Sequence, residues 1–246
     1  MAPPIEIPQS NRASAPDAYR AQRVETLGDD AYRQIEGLFV NGTLRPGSFV
    51  SEPQLQRLTS LGRAPVRDAV KRFEAERLLL PMHRKGIYVP ALDVGDHLYL
   101  LEVRRPIEIY ICRSAALRAQ EAERAALRAC IARFRDETGN WDHEVRAQRD
   151  FEYKHVIIRA TRNPYIAPVI GPIHTLSRRF WHFHARFDGS FDHERKSDRV
   201  HVAVMEAICG GDPDEAEQAA VKCIDFLART TRAILARDAG GRRIFS

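Results

Sequence analysis

The amino-acid sequence predicts a mainly α-helical protein with two parts. The first is an N-terminal winged helix-turn-helix, and the second is a C-terminal all-α antiparallel bundle of six or seven helices. Apolar residues recur at helical spacing along most of the chain, from about residue 96 to residue 237 in particular. Clusters of Gly and Pro divide the N-terminal part into short segments. Two runs typical of strands, 78–82 and 87–89, flank a basic tip.

Length and composition are those of an ordinary globular protein. The 246 residues are enough for one large domain or two small ones, and 44% of them are hydrophobic. The sequence contains no apolar run near the ~20 residues that span a bilayer, and its first residues lack the apolar core of a signal peptide. We therefore expect a cytoplasmic protein. The four cysteines are scattered without a CxxC pair, which indicates neither a zinc ribbon nor a disulfide framework.

The N-terminal elements follow from local signals. Residues 1–25, rich in Pro, Ser, Ala and Gln, are expected to form a flexible arm. Helices are predicted at about 29–41 and 51–58, separated by the turn sequence NGTLRPGS. A third helix is predicted at 65–79, because Pro65 suits the first helical position.

The domain limits follow from these elements. The two short strands after the third helix would form the wing, so the winged helix-turn-helix is predicted at residues 26–92, with a linker at 90–96. Residues 93–238 would form the helical domain, and residues 239–246 a loose tail.

The positive charge is concentrated in the N-terminal part. Residues 31–92 contain ten Lys or Arg and five Asp or Glu, and this excess of five equals the net charge of +5 of the whole chain. On the third helix Arg63, Arg67 and Lys71 are spaced four apart and would share one face, while apolar residues of the same period face a core. A basic segment beside a neutral one indicates a nucleic-acid-binding module.

Longer motifs carry a family resemblance. The run GTLRPGSFVSEPQLQRLTSLGRAPVRDAVKRFEAERLL resembles the DNA-binding domain of GntR-type bacterial transcription regulators. The helical part resembles the FadR-type effector domain (FCD domain) of that family. The matching segments are LEVRRPIEIYICRSAAL, RDFEYKHVIIRATRNPYI and HVAVMEAICGGDPDEAEQAAVKC. The resemblance covers roughly residues 28–235.

The resemblance implies how the N-terminal part would bind an operator. Such regulators act as homodimers on double-stranded DNA and insert the third helix into the major groove. Arg63 and Arg67 match the two arginines expected to read guanine or grip phosphate, and Lys71 would meet phosphate or solvent. Ala64 replaces a family hydroxyl and would be a poor N-cap, at a cost of about 1 kcal/mol. The wing residues expected at the minor groove or backbone are His83, Arg84, Lys85 and Gly86. Solvated arginines without a DNA role are the alternative.

The resemblance also implies a site inside the helical domain. Many FadR-type members hold a divalent metal through one Asp and three His and bind a carboxylate effector over it. The corresponding residues here are Asp150, Lys154, His201 and Cys223. Because two of the four have changed, a zinc, nickel or manganese site on Asp150 and His201 is doubtful. His155 lies about 140° from Asp150 around a helix, so only a π-bulge would bring it into the set.

We interpret Lys154 as a replacement for the charge of the metal. Together with Arg104, Asp150 and His201 it could pair directly with the carboxylate of an effector. Alternatively, Arg104–Glu108 and Asp150–Lys154 are internal helix pairs without any ligand. His201 and Cys223 would then be ordinary core residues.

The resemblance thus predicts a bacterial transcription regulator that responds to a small carboxylate, with repression as the expected direction. One alternative is a DNA-binding regulator with a vestigial, ligand-independent pocket. Another is a hydrolase that uses Asp150, His201 and Cys223, although the sequence contains no nucleophile motif that supports it.

Overall fold

The computed structural model describes residues 25–136, 143–188 and 191–239. The predicted arm and tail fall almost entirely outside these ranges. The N-terminal part contains α1 (Leu27–Val40), β1 (Phe49–Val50), α2 (Glu52–Thr59), α3 (Arg63–Ala75), β2 (Leu80–Met82) and β3 (Gly86–Tyr88). The described C-terminal part contains α4 (Val94–Arg118), α5 (Glu121–Arg135), α6 (His143–Ala160), α7 (Ile166–Asp188), α8 (Phe191–Gly210) and α9 (Pro213–Ala239). The mainly α fold class is confirmed.

The N-terminal part forms the predicted winged helix-turn-helix. Its three helices enclose a core in which Ile35, Leu55 and Phe73 are fully buried. The sheet has the order β1-β3-β2, with both pairings antiparallel. Strand β1 was not predicted, because its two residues are too few to show a strand period.

The limits of α3 differ from the prediction. The N-cap is Gly62, so the helix begins at Arg63 and both Ala64 and Pro65 lie within its first turn. The expectation that Ala64 serves as a poor N-cap is therefore wrong. The helix also ends at Ala75 instead of near residue 79, because Arg77 adopts a left-handed conformation with φ of 58°. This turn lets the Leu78 amide donate to the Phe73 carbonyl at 2.9 Å.

The C-terminal part is a helical bundle with α4 at its centre. α4 packs most extensively against α9 and also contacts α6, α7 and α8. Its start is fixed by Asp93, whose side chain accepts a hydrogen bond from the Asp96 amide at 2.9 Å, so the linker is shorter than predicted. The bundle core includes Leu101, Ile111 and Met205, all nearly or fully buried.

The two parts pack directly against each other through α1 and α7. Glu36 of α1 accepts hydrogen bonds from Thr175 and Arg178 of α7. Arg179 is 1% exposed, its guanidinium lies 4.0 Å from the centre of the Phe39 ring, and it donates to the Pro90 carbonyl at 2.8 Å. Arg178 and Arg179 of α7 thus link the N-terminal part of the chain to the bundle.

Within the described ranges, every helix is too short or too polar to serve as a membrane span.

Candidate functional site

The exposed face of α3 is basic, as its spacing predicts. Arg63, Arg67 and Lys71 are exposed together with Ala64, whereas Val66, Ala69, Val70 and Phe73 are buried on the opposite face. The Lys71 ammonium lies 4.0 Å from the Asp68 carboxylate, but both side chains are about two-thirds exposed, so this pair is weak. The geometry therefore leaves the three cations on a surface that could meet a polyanion.

The wing ends in a tight basic turn. His83, Arg84 and Lys85 are exposed at its tip, where the Lys85 amide donates to the Met82 carbonyl at 3.1 Å. Gly86 has φ of +97°, and an added Cβ there would lie 3.0 Å from the Val50 carbonyl oxygen. The backbone conformation thus requires glycine at position 86, whether or not this residue contacts DNA.

The second candidate site is a small cavity inside the bundle, to which five helices contribute: α4, α6, α7, α8 and α9. Its volume is about 20 Å³, little more than one water molecule needs. Of the five residues expected at an effector site, Arg104, Lys154 and Cys223 line it, together with Glu108 and His174, whereas Asp150 and His201 are not among its lining residues.

Two ion pairs dominate the cavity. Arg104 Nε donates to Glu108 Oε1 at 2.8 Å, and Arg104 Nη2 lies 2.7 Å from the same oxygen. Lys154 Nζ donates to Asp150 Oδ2 at 2.7 Å. Both are pairs of residues four apart on one helix, the arrangement that the sequence predicts for internal helix pairs.

α7 adds two residues that the sequence analysis missed. His174 Nε2 lies 2.8 Å from Glu108 Oε1 and, because a carboxylate can only accept, must be the donor. Ser177 Oγ accepts from Arg104 Nη1 at 3.0 Å. His174 and Ser177 lie 66 and 73 residues away from their partners on α4. Local spacing therefore contains no signal for these contacts.

Electrostatics keep the two acids ionised and the two histidines neutral. Burial is the largest single effect on both acids and would raise their pKa values. The combined effect of Arg104, His174 and Lys154 outweighs it for Glu108, and that of Lys154, His201 and Arg104 outweighs it for Asp150, so both pKa values fall well below their usual range. Burial lowers the pKa of His174 to about 4 and that of His201 to about 4, against the opposing effect of the nearby carboxylates. Near neutral pH the two positive and two negative charges therefore balance.

His201 and Cys223 are both buried, as either interpretation of them requires. His201 lies beside Asp150 and packs against the ring of Tyr153, with 5.3 Å between ring centres. Burial raises the pKa of the Cys223 thiol to about 12, so the thiolate that acts as nucleophile or metal ligand is strongly disfavoured.

These residues do not fit the metal that the resemblance implies. The Lys154 ammonium donates a hydrogen bond to the Asp150 carboxylate, the group that would otherwise bind the metal. An ammonium has no lone pair and cannot itself be a metal ligand. His155 is exposed, and its Nδ1 lies 2.8 Å from the Phe151 carbonyl, so it does not join the set. Within the residues that the structure describes, we find no group of three or more His, Cys, Asp or Glu side chains able to hold a metal ion.

Restoring the two lost ligands should create a metal site. We expect the Lys154→His/Cys223→His variant to bind about one equivalent of Zn²⁺, because Asp150 and His201 would then complete a four-ligand set. Calorimetric titration after chelator treatment measures the stoichiometry. Lys154→Gln is the matched control, since it removes the ammonium without adding a ligand. Stoichiometric zinc in the unchanged chain would contradict our interpretation of Lys154.

Both parts of the chain are similar in sequence to known regulators. Residues 27–89 match the model of the gntR family of bacterial regulatory proteins, and residues 99–226 match the FCD domain model. HTH-type transcriptional regulator YdhC of Bacillus subtilis is 31% identical over 77 residues. The Nta operon transcriptional regulator of Aminobacter aminovorans is 26% identical over 129 residues. The galactonate operon transcriptional repressor of Escherichia coli is 24% identical over 215 residues.

The extent of these matches varies. The aligned regions cover 31%, 52% and 79% of this chain, in the order given, and 34%, 61% and 92% of the relatives. The first two relatives are thus matched over less than two-thirds of their own length. Among solved structures, E. coli McbR/YncC has a similar fold, with a TM-score of 0.75 at 13% identity over 86% of this chain and 99% of that one. With the family models covering both parts, the chain belongs to the GntR family of DNA-binding transcription regulators, in the FadR-type group that carries an FCD domain.

Proposed function

We propose that the protein is a homodimeric repressor whose affinity for its operator is altered by a small carboxylate bound between Arg104 and Lys154. The observation that carries this proposal is the pair of buried cations, on two neighbouring helices, at one cavity of the bundle. Each cation already binds a carboxylate of its own helix, Glu108 or Asp150, so the groups that line this cavity are suited to a carboxylate. We expect a cytoplasmic location and no catalytic activity.

The DNA-binding half of the proposal rests on α3. Its exposed Arg63, Arg67 and Lys71 would enter the major groove, with His83, Arg84 and Lys85 of the wing beside them. One copy of the chain offers one recognition helix. Two copies related by two-fold symmetry would match two half-sites of a palindromic operator. In this proposal residues 26–92 form the DNA-binding domain, and residues 93–238 form the effector-binding and dimerisation domain.

The effector half is limited by the space available. A cavity of about 20 Å³ cannot admit an organic acid unless side chains move, which favours a small ligand that replaces an internal group. One relative is named for a galactonate operon, and galactonate is itself a carboxylate. This supports an organic acid as the class of signal.

A second candidate is a regulator that needs no ligand. The internal pairs Arg104–Glu108 and Asp150–Lys154 favour it, because they already neutralise the four buried charges. The hydrolase alternative is opposed by the raised pKa of Cys223, which leaves the thiol without nucleophilic character.

Operator binding in the presence of organic acids separates the two candidates. An operator selected from random DNA would be titrated with the protein, with and without a panel of sugar acids, amino acids, dicarboxylates and aromatic acids. We expect one class of acid to weaken binding by roughly 5- to 150-fold, the usual range of allosteric coupling. Indifference to every acid would favour the ligand-independent regulator. Light scattering should give twice the 28.0 kDa of one chain.

A further inference from the structure

We propose that Glu108 is a built-in carboxylate ligand of the pocket, and that an incoming monocarboxylate binds to Arg104 and His174 by displacing it. This inference rests on the proposed function for the identity of the cavity and refines its contacts: Arg104 and His174 hold the carboxylate, while Lys154, in the same cavity, stays paired with Asp150. It also explains what closes the pocket when no ligand is bound, namely the Glu108 carboxylate, which has to move out before a ligand can bind.

The first support is the set of donors around one oxygen. Glu108 Oε1 lies within 2.8 Å of Arg104 Nε, 2.7 Å of Arg104 Nη2 and 2.8 Å of His174 Nε2. Two different helices, α4 and α7, therefore place donors on a single carboxylate oxygen. This is how a protein site grips the carboxylate of a bound acid, with charge-assisted hydrogen bonds from a fork-shaped guanidinium.

The second support is the difference in exposure between Arg104 and Glu108. The Arg104 side chain is 2% exposed and is also held by Ser177 Oγ at 3.0 Å. The Glu108 side chain also lines the cavity but is 13% exposed, so part of it reaches solvent. A rotation of this side chain would move its carboxylate toward solvent while Arg104 and His174 remain in place.

The third support is the balance of charge. Arg104 and Lys154 face Glu108 and Asp150, which makes two positive and two negative groups. A carboxylate that entered beside them would be a third negative charge in a buried site. If it replaces Glu108, the balance is kept and the departing carboxylate regains its hydration. The cavity volume of about 20 Å³ leads to the same requirement, since the space must come from a displaced group.

The test is chemical rescue by acetate. Glu108→Ala removes CH₂–COO⁻ from the pocket, and acetate supplies nearly the same atoms without the covalent link. We expect acetate to raise the Tm of this variant saturably, by about 3–5 °C at ten times its Kd, because it binds only the folded state. The unchanged protein should show a much smaller rise, because Glu108 already occupies the site.

Three controls make the result specific. Acetamide has the shape of acetate without its charge, and chloride matches its ionic strength; neither should reproduce the rise in Tm. Glu102→Ala removes an exposed carboxylate from the same helix and should gain nothing from acetate. If Glu108→Ala does not fold, Glu108→Gln keeps the volume of the side chain, and acetate should still stabilise it more than chloride does.

Equal stabilisation by acetate, acetamide and chloride, or none by acetate, would overturn the inference. The experiment contains no DNA, so its outcome is independent of the operator assay. Rescue by acetate without any acid that alters operator binding would retain Glu108 as the built-in ligand and reject the effector role. Failure of the rescue would reject the built-in ligand and leave the effector screen to decide the proposed function.

Discussion

Replacing Arg104 with methionine is expected to lower the free energy of unfolding by about 3–5 kcal/mol at neutral pH, because breaking a buried ion pair leaves an uncompensated charge. Methionine has a similar volume, a flexible unbranched side chain and no charge. The ionised Glu108 would keep only the hydrogen bond from His174, and the Ser177 hydroxyl would lose its donor. Urea unfolding of the two proteins at pH 7 measures the difference.

The pH dependence identifies the cause of this loss. In the unchanged protein the pKa of Glu108 is lower folded than unfolded, so its contribution is present above the unfolded pKa and is lost as the pH falls through the folded one. Arg104 is the group that most lowers the pKa of Glu108 against the effect of burial. In Arg104→Met this effect is gone, and the pKa of Glu108 in the folded protein should rise above its usual value. The variant should therefore recover part of its deficit between pH 7 and pH 5, as Glu108 takes up a proton.

A double variant is the matched control. Arg104→Met/Glu108→Gln removes both charges at once, and an internal pair replaced by neutral groups of similar volume is often nearly neutral in stability. We expect the double variant to be more stable than Arg104→Met alone at pH 7. If Arg104→Met lowered the free energy of unfolding by less than about 1 kcal/mol, and this difference were the same at pH 7 and pH 5, the Glu108 carboxylate would be hydrated by water in the absence of Arg104. The expected role of the ion pair would then be wrong.

The pocket shows where sequence reasoning succeeds and where it ends. Arg104–Glu108 and Asp150–Lys154 are predictable because residues four apart on a helix are neighbours whatever the fold. His174 reaches Glu108 only because α7 packs on α4, which is a tertiary event without a local signal. The substitution of Lys154 for a metal ligand was predictable only through the family resemblance.

The N-terminal part shows the same division. The two faces of α3 follow from periodicity alone, and the structure has the four apolar residues buried and the three cations exposed. Its limits were wrong because Gly62 caps without a side chain and because the left-handed Arg77 ends the helix early. The contacts of Glu36 with α7 could not be predicted from the sequence, because they join parts of the chain about 140 residues apart.

Replacing Arg67 with alanine is expected to weaken binding to the selected operator by about 1–3 kcal/mol, or roughly 5- to 150-fold, and to relax the preference at one base pair. Arg67 is exposed on α3 and lies one turn from both Arg63 and Lys71, so a bidentate contact to guanine would be lost without a neighbour to replace it. The fold should not change, because the side chain is exposed. Fluorescence anisotropy with the operator and with single-base variants of it measures both effects.

Lys71→Ala is the matched control, because it removes one positive charge from the same exposed face. A lysine that meets only phosphate should weaken all sequences alike and reduce the slope of log Kd against log salt concentration by about 1. If Arg67→Ala gave this uniform loss as well, Arg67 would be a phosphate contact. Base recognition would then have to come from Arg63 or from the wing. A specific loss for Arg67 beside a uniform loss for Lys71 would assign reading of the operator to the first two turns of α3.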